Sequence, residues 1–532
     1  MRRRVLYLFF SSITLAVFYL ILGINLQHLG YYNHESLFYI EKARIIFEGT
    51  GLRLKTIGLT SPMIPFYGVL PFAQLNYLTA PLVASALGTA ALFFIISLGV
   101  IKTTRDNFLI LILLLLFIFH PGFIYMGCSG KGIYATMIFF FLFFYNIFRF
   151  YISNTTFHIS VASILLVMLL FCDYKFIWMT LFFIPLIISI AIQSLNLAEK
   201  QSIFRLFLSF NNPSLRRKLM NKTFAMYVII FILPLIAIMC YKLLNQAHAN
   251  DFNYFSDSPY ATWSVLVDKF EKTVSPSVAN YNIPEVSFLT TVRILIYCPL
   301  ILLGAYFFRS NTQHFLTLLI PFALVEFLKI HDDDTSFLPM QYYLMFIVIA
   351  YLALVFRSQV IARRKIYKVI IVLLVTVQVF TGYFYLRNSM IQSESSFVTV
   401  FQKTNDTDET TMFDEYKQMA DFINHLPRKS QILVDDVNAY PILAYVKSLK
   451  NITLPYQDAF LSAIENPSTY VSYVLLAADQ NSVGGFTQLN FKYKLTMETR
   501  NNLRLDKVYE SDNWTMYRIR VNGQEVDDPV LR

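Results

Sequence analysis

Residues Tyr31 to Phe72 read YYNHESLFYIEKARIIFEGTGLRLKTIGLTSPMIPFYGVLPF and follow directly on the first long apolar run of the chain. A segment in that place has just crossed a bilayer and is still touching it. Phe38, Ile45 and Ile46 can share one helical face, while Glu35, Lys42 and Arg44 break the apolar pattern with charge. The spacing predicts an amphipathic helix packed back against whatever the first run belongs to.

What it belongs to follows from composition. The 532-residue chain is 56% hydrophobic and only 15% charged, with a mean hydropathy of +0.51. A water-soluble surface needs far more charge, so this is a polytopic α-helical membrane protein. The formal net charge of +10 is scattered through short loops and forms no single basic face, which argues against a nucleic-acid partner. Cys128, Cys172, Cys240 and Cys298 lie in or beside apolar runs without ligand spacing and read as small core residues. MRRR followed by Val5 to Leu26 lacks a small-residue cleavage site and is expected to be a retained first span.

Further runs long enough to cross lie at Tyr77 to Ile101, Asn107 to Tyr125, Ile133 to Ile152, Phe157 to Cys172 and Phe176 to Leu195. Others lie at Phe224 to Leu244, Leu289 to Phe308, His314 to Lys329, Phe337 to Phe356 and Tyr367 to Leu386. About eleven transmembrane helices are therefore expected. Arg2 to Arg4, Lys102, Arg149, Arg216 to Lys218, Arg309 and Arg363 to Lys365 then fall on one side, which the positive-inside tendency makes cytoplasmic. The N-terminus is thus expected in the cytoplasm of a cell (inner or plasma) membrane, with Tyr31 to Asn76 and everything after Arg387 on the outer face.

Residues 1–388 form the membrane domain in this reading, with the outer loop 28–76 carrying the candidate site. Residues 389–412, rich in Ser, Thr and Asp, look like a linker. Residues 413–532 read as a C-terminal soluble α/β domain, with a helix at Asp414 to His425, a strand at Gln431 to Asp436, a helix around Tyr440 to Lys447, a strand at Tyr473 to Ala477 and a closing strand pair ending WTMYRIR. Gly484-Gly485 leads into FTQLNF without a phosphate-cradling pattern.

Glu35 is the first chemical candidate. A carboxylate near a membrane face is either functional or a solvated helix residue paired with a cation such as Lys42. Lys131 and Lys175 sit in outer turns, where a lysine either meets a ligand or snorkels to the interface. His331-Asp332-Asp333-Asp334 suits a divalent cation or an acceptor, but a run of this kind is more often a solvated loop. Asp173 beside Lys175, and Glu326 one turn from Lys329, each read either as an ion pair or as a functional acid. Tyr31, Tyr32 and Tyr39 are interfacial anchors or platforms for a sugar ring.

Glu35-Ser36-x-x-Tyr39-x-Glu41-x-Ala43-Arg44, then Gly49 or Gly51, then Ser61-Pro62 and an aromatic-proline run, resembles the first outer loop of the GT-C superfamily of membrane glycosyltransferases. That superfamily includes the protein O-mannosyltransferases and the lipid A aminoarabinose transferases. Their loop reads D-E-x-x-Y-x-x-x-A-R before a P-P-L-like stretch, and its leading acid is the catalytic carboxylate. Aligned on Ala43-Arg44, that acid falls on Glu35, with Glu where Asp is usual. PGFIYMGCSGKGIYATMIFFFLFFYNIFRF resembles the second outer turn and following span, and SFLPMQYYLMF a late segment in which Gln341 stands where arginine is common.

The resemblance implies a GT-C-like fold and an inverting transfer from a polyprenyl-phosphate-linked sugar to a glycan, lipid or protein acceptor, with membrane lipids around it. Glu35 would be the general base. Lys131, Lys175, Arg44 and Lys55 would offset charge on the departing phosphate, and Tyr39, His331, Asp332, Gln341 and Tyr342 would contact substrate. Two rivals stand beside it: a transporter or flippase of lipid-linked glycans, and a non-catalytic membrane assembly protein.

Overall fold

A computed structural model describes residues 2–104, 106–153, 155–194, 213–266, 283–331, 338–400, 412–478, 481, 483–496, 503–521 and 524–525. The first helices of the bundle are α1 (Arg2–His28), α2 (His34–Glu48), α3 (Met63–Ala73), α4 (Ala80–Thr103), α5 (Phe108–Phe119), α6 (Pro121–Cys128), α7 (Ile133–Ser153) and α8 (Thr156–Cys172). They are followed by α9 (Pro213–Ala249), α10 (Thr312–His331), α11 (Met340–Phe356), α12 (Lys365–Arg387) and α13 (Gln392–Thr399). Among the described residues seven helices are long and apolar enough to span a bilayer, and nine if each of two bent pairs is one span. The chain is an integral membrane protein of mainly helical build.

The count differs from eleven for identifiable reasons. Asn107 to Tyr125 and Leu289 to Phe308 look like continuous apolar runs, but the chain bends by 64° between α5 and α6 and by 98° between Pro284–Tyr297 and Leu300–Phe308. Proline stands at each break, at Pro121 and Pro299, where it cannot continue the preceding helix. The other two expected spans, α8 and α11, are helices of 17 residues. Each stops where a cavity opens, α8 at Asp173 and α11 at Pro339.

Helix α2 is buried from His34 to Ile46, so it is a core helix carrying charge and not a surface helix with one dry face. One flank packs on α3 and α4, the other on a C-terminal α/β unit. That unit has a sheet ordered β2-β1-β3-β5-β4 (Ile452–Thr453, Ile432–Leu433, Tyr473–Ala477, Trp514–Val521, Leu503–Glu510), with β6 (Gln524–Glu525) beside β5. β1 pairs in parallel with β2 and β3, and β5 runs antiparallel to β3 and β4. Alternation along the strands makes two cores: Ile432 and Leu475 pack with α14 (Met412–His425) and α15 (Asp436–Tyr445), while Leu433 and Val474 pack with Phe460 and Leu489 on the opposite face.

The stretch expected as a linker is not one throughout. Helix α13 is built from it, and Ser393, Glu394, Phe397 and Val398 are buried. Phe397 stacks edge-on against Tyr31 and Tyr125, which fixes the helix on the bundle. Residues 401–411 lie outside the described residues.

Candidate active site

Asn33 caps α2: its Oδ1 accepts the Ser36 amide at 2.9 Å and its Nδ2 donates to the Ser129 carbonyl. The cap starts the helix so that Glu35 falls in its first turn, where the exposed amide dipoles favour a carboxylate. The turn after α6 then meets it. Gly132 donates its N–H to Glu35 Oε1 at 2.8 Å. Two glycines make this approach feasible. Gly130 adopts φ +79°, and an added Cβ would lie 2.6 Å from Ser36 Oγ; at Gly132 an added Cβ would lie 2.3 Å from Pro65 Cβ.

Glu35 lines a cavity of about 350 Å³ together with Lys131, Lys175, Gln341 and Tyr342. That volume suits a small-molecule site. Glu35 is 8% exposed and lines this cavity. Lys131 Nζ donates to Ser393 Oγ at 2.8 Å and lies 5.2 Å from the Trp263 ring. Asp173, Glu394, Trp263 and Phe255 complete the polar and aromatic part of the wall, and Leu170, Phe171 and Ile238 an apolar part.

Asp173 and Glu394 organise the far wall. Asp173 Oδ2 accepts from Gln341 Nε2 at 2.9 Å and from Tyr342 Oη at 3.2 Å, and Oδ1 accepts the Lys175 amide at 3.0 Å. Glu394 Oε1 accepts the Met340 amide at 2.9 Å, and Oε2 accepts from Ser389 Oγ at 2.7 Å. The first turn of α11 is thus held from two directions by carboxylates on other elements.

Five of the expected site residues meet here, and others do not. Arg44 points away: its Nη1 donates to the Leu443 carbonyl at 2.7 Å and its Nη2 pairs with Glu48 at 2.9 Å. Nine residues at 3.6 per turn place it half a turn out of phase with Glu35. Lys55 opens a short helix, Lys55–Leu59, beyond the glycine-bounded end of α2 and does not line the cavity. Tyr39 is fully buried with its ring 5.9 Å from Phe66, behind the cavity wall. Burial, and after it the Glu35 charge, holds its phenol well above the ordinary value. His331 ends α10, and Asp332 to Asp334 lie outside the described residues.

Sequence reasoning missed Ser393, Glu394 and Trp263 and left Asp173 open between an ion pair with Lys175 and a functional acid. Glu326, the acid inside a span, accepts from Thr291 Oγ1 at 2.6 Å. The cysteines are free, three of them buried, and Cys240 is exposed. Among the described residues no group of three or more His, Cys, Asp or Glu side chains is arranged to hold a metal ion.

No family model and no curated protein matches the chain. Solved structures of the oligosaccharyltransferase of Archaeoglobus fulgidus are similar to it at low identity. The apo form is 12% identical over 88% of this chain and 69% of that chain, with a TM-score of 0.40. The complex with zinc and sulfate is 13% identical over 95% and 73%, with a TM-score of 0.38. The form tethered to an acceptor peptide containing the NVT sequon is 12% identical over 98% and 75%, with a TM-score of 0.40.

Proposed function

We propose that the protein is a GT-C-like membrane glycosyltransferase that moves a sugar from a polyprenyl-phosphate-linked donor to an acceptor hydroxyl on the extracytoplasmic side. The observation that carries this reading is Glu35, seated in a helix's first turn, lining a cavity that also holds two lysines and an apolar flank. Glu35 removes the acceptor proton as the acceptor attacks the anomeric carbon. The bond to phosphate breaks on the opposite face, so configuration inverts, and Lys131 and Lys175 receive the charge left on the lipid phosphate. The apolar flank admits the first units of the lipid. Topology follows the loop charges, with the N-terminus cytoplasmic and the C-terminal α/β unit outside.

The bent pairs at α5–α6 and at Pro284–Tyr297 with Leu300–Phe308 support a second reading, a translocator of lipid-linked glycans, because broken helices are a feature of transporters. One experiment separates the two. Wild type and Glu35→Gln are reconstituted in proteoliposomes with a host lipid-phosphate sugar extract, and both sugar transfer and lipid translocation are measured. The enzyme reading expects transfer to fall by roughly 10²–10⁴-fold in the variant. Undiminished transfer removes Glu35 from the chemistry, and translocation without any transfer in wild type selects the second reading.

A further inference from the structure

About two turns beyond Glu35, α2 carries a cluster that the reaction above does not use. Lys42 Nζ lies 2.6 Å from Asp436 Oδ2, at the start of α15 in the C-terminal unit, and 3.2 Å from Glu41 Oε2. All three side chains are buried, Glu41 completely. Neither Glu41 oxygen receives a hydrogen bond, and Asp436 Oδ1 receives none. The adjacent Asp435 is buried as well: its Oδ2 accepts from the Gln488 amide at 2.9 Å and from Tyr260 Oη at 3.3 Å, and its Oδ1 accepts the Val437 amide at 3.2 Å. Two carboxyls, Glu41 and Asp436, thus share one ammonium in a buried seam, with Asp435 beside them held by amides and a phenol. Unpaired buried charge is too costly to keep, so the count itself calls for a bound proton.

The same seam fixes the helix that bears the base. Along its length His34 Nδ1 meets Tyr440 Oη at 3.0 Å and Arg44 donates to the Leu443 carbonyl, both on α15. We propose that Glu41, Lys42, Asp435 and Asp436 are positioning residues: the C-terminal unit sets α2, and with it Glu35, by closing on Lys42, and closure takes up a proton at Glu41. The positioning half rests on the reading of Glu35 as base.

The electrostatics agree with the geometry. Burial raises the Glu41 carboxyl from 4.5 to about 8; Lys42 opposes the rise and Asp436 adds to it. Burial, and then Asp436, lifts Asp435 from 3.8 to about 7. For Lys42 burial works against the ammonium, and Asp436 and Glu41 outweigh it, so it stays charged. Glu41 also faces Tyr456 from the segment after β2, Lys42 faces Tyr254, and Asp435 faces Tyr260. For an acid raised on closure the sign is fixed. Its contribution to closure is complete below about 4.5, weakens by up to tenfold per pH unit above that, and is gone once the pH passes about 8.

Hydrogen exchange on the full chain in nanodiscs tests closure without reference to activity. Protection of peptides covering 34–48 and 436–445, corrected for intrinsic exchange, should fall together by about fivefold between about pH 7 and about pH 8 in wild type. Glu41→Gln, which mimics the protonated acid, should hold protection level across that range, and Lys42→Met should lower it at every pH. Transfer by wild type should fall over the same interval through kcat and not through the donor KM, with Glu41→Gln restoring the rate. Protection that ignores pH in wild type, an unchanged step in Glu41→Gln, or a transfer rate that does not follow the exchange step overturns the proposal. An exchange step in a chain that transfers no sugar overturns the reading of Glu35 as base and supports proton-linked closure.

Discussion

The main-chain N–H of Gly132 donates to Glu35 Oε1 across 2.8 Å, joining the first turn of α2 to the turn that carries Lys131. Base and cation candidates are therefore set by one glycine. Because an added Cβ there would meet Pro65 at 2.3 Å and Glu35 Oε1 at 3.1 Å, Gly132→Ala must push the turn away from the carboxylate. The expected result is a drop in transfer of about 10²-fold with a stability loss of about 1–3 kcal/mol. Transfer assays and thermal melting in detergent measure both, and full activity in this variant removes the contact from the mechanism.

Lys131→Met keeps most of the side-chain volume and removes the charge. If the ammonium receives the leaving phosphate, kcat falls by roughly 10–10²-fold and Lys131→Arg recovers part of it. A lysine that merely rests between Ser393 and Trp263 would instead leave kcat and the donor KM unchanged. Single-turnover rates with saturating donor distinguish the two.

Asp173→Ala strips the acceptor from the Gln341 amide and the Tyr342 hydroxyl. Each donor that loses this acceptor costs about 1–3 kcal/mol, toward the low end where cavity water replaces the carboxylate. Asp173→Asn retains one acceptor oxygen and should lie between wild type and alanine, both in melting temperature and in donor affinity. Equal melting of all three proteins would show that Asp173 holds nothing in place.

Glu394→Ala uncaps the first turn of α11, and Ser393→Ala removes the oxygen that Lys131 meets. The first change should lower stability by about 1–2 kcal/mol. The second should be nearly silent in melting and visible in transfer. Replacing residues 392–399 with a glycine-serine run should abolish transfer while leaving the chain in the membrane, as cell fractionation and labelling will report.

Much of the site could be read from the sequence, because its parts near the first loop are local. The charge at Glu35 and the glycine-bounded turn that carries Lys131 are features of short spacing, whereas the Asn33 cap, though equally local, appears only in the structure. Arg44 misled because proximity in sequence was taken as proximity in space, whereas nine residues of helix turn a side chain to the other face. Ser393 and Glu394 were hidden in a polar, serine-rich stretch. What buries them comes from hundreds of residues away, as the contact of Lys131 with Ser393 illustrates. The seam of Lys42 with Asp436 was illegible for the same reason, since neither residue shows alone that it faces the other. In the membrane part apolar runs located the helices but not their bends, because a proline that breaks a span leaves its hydropathy almost unchanged.

Helix α8, at 17 residues, is only about 25 Å long, and Phe157 and Ile164 on it face outward. A hydrocarbon layer of about 30 Å is thicker than this. Lipids that thin to match α8 do so at a cost of a fraction of a kcal/mol per Å. A bilayer thinned to match α8 would bring its headgroup plane closer to Asp173, where the helix ends.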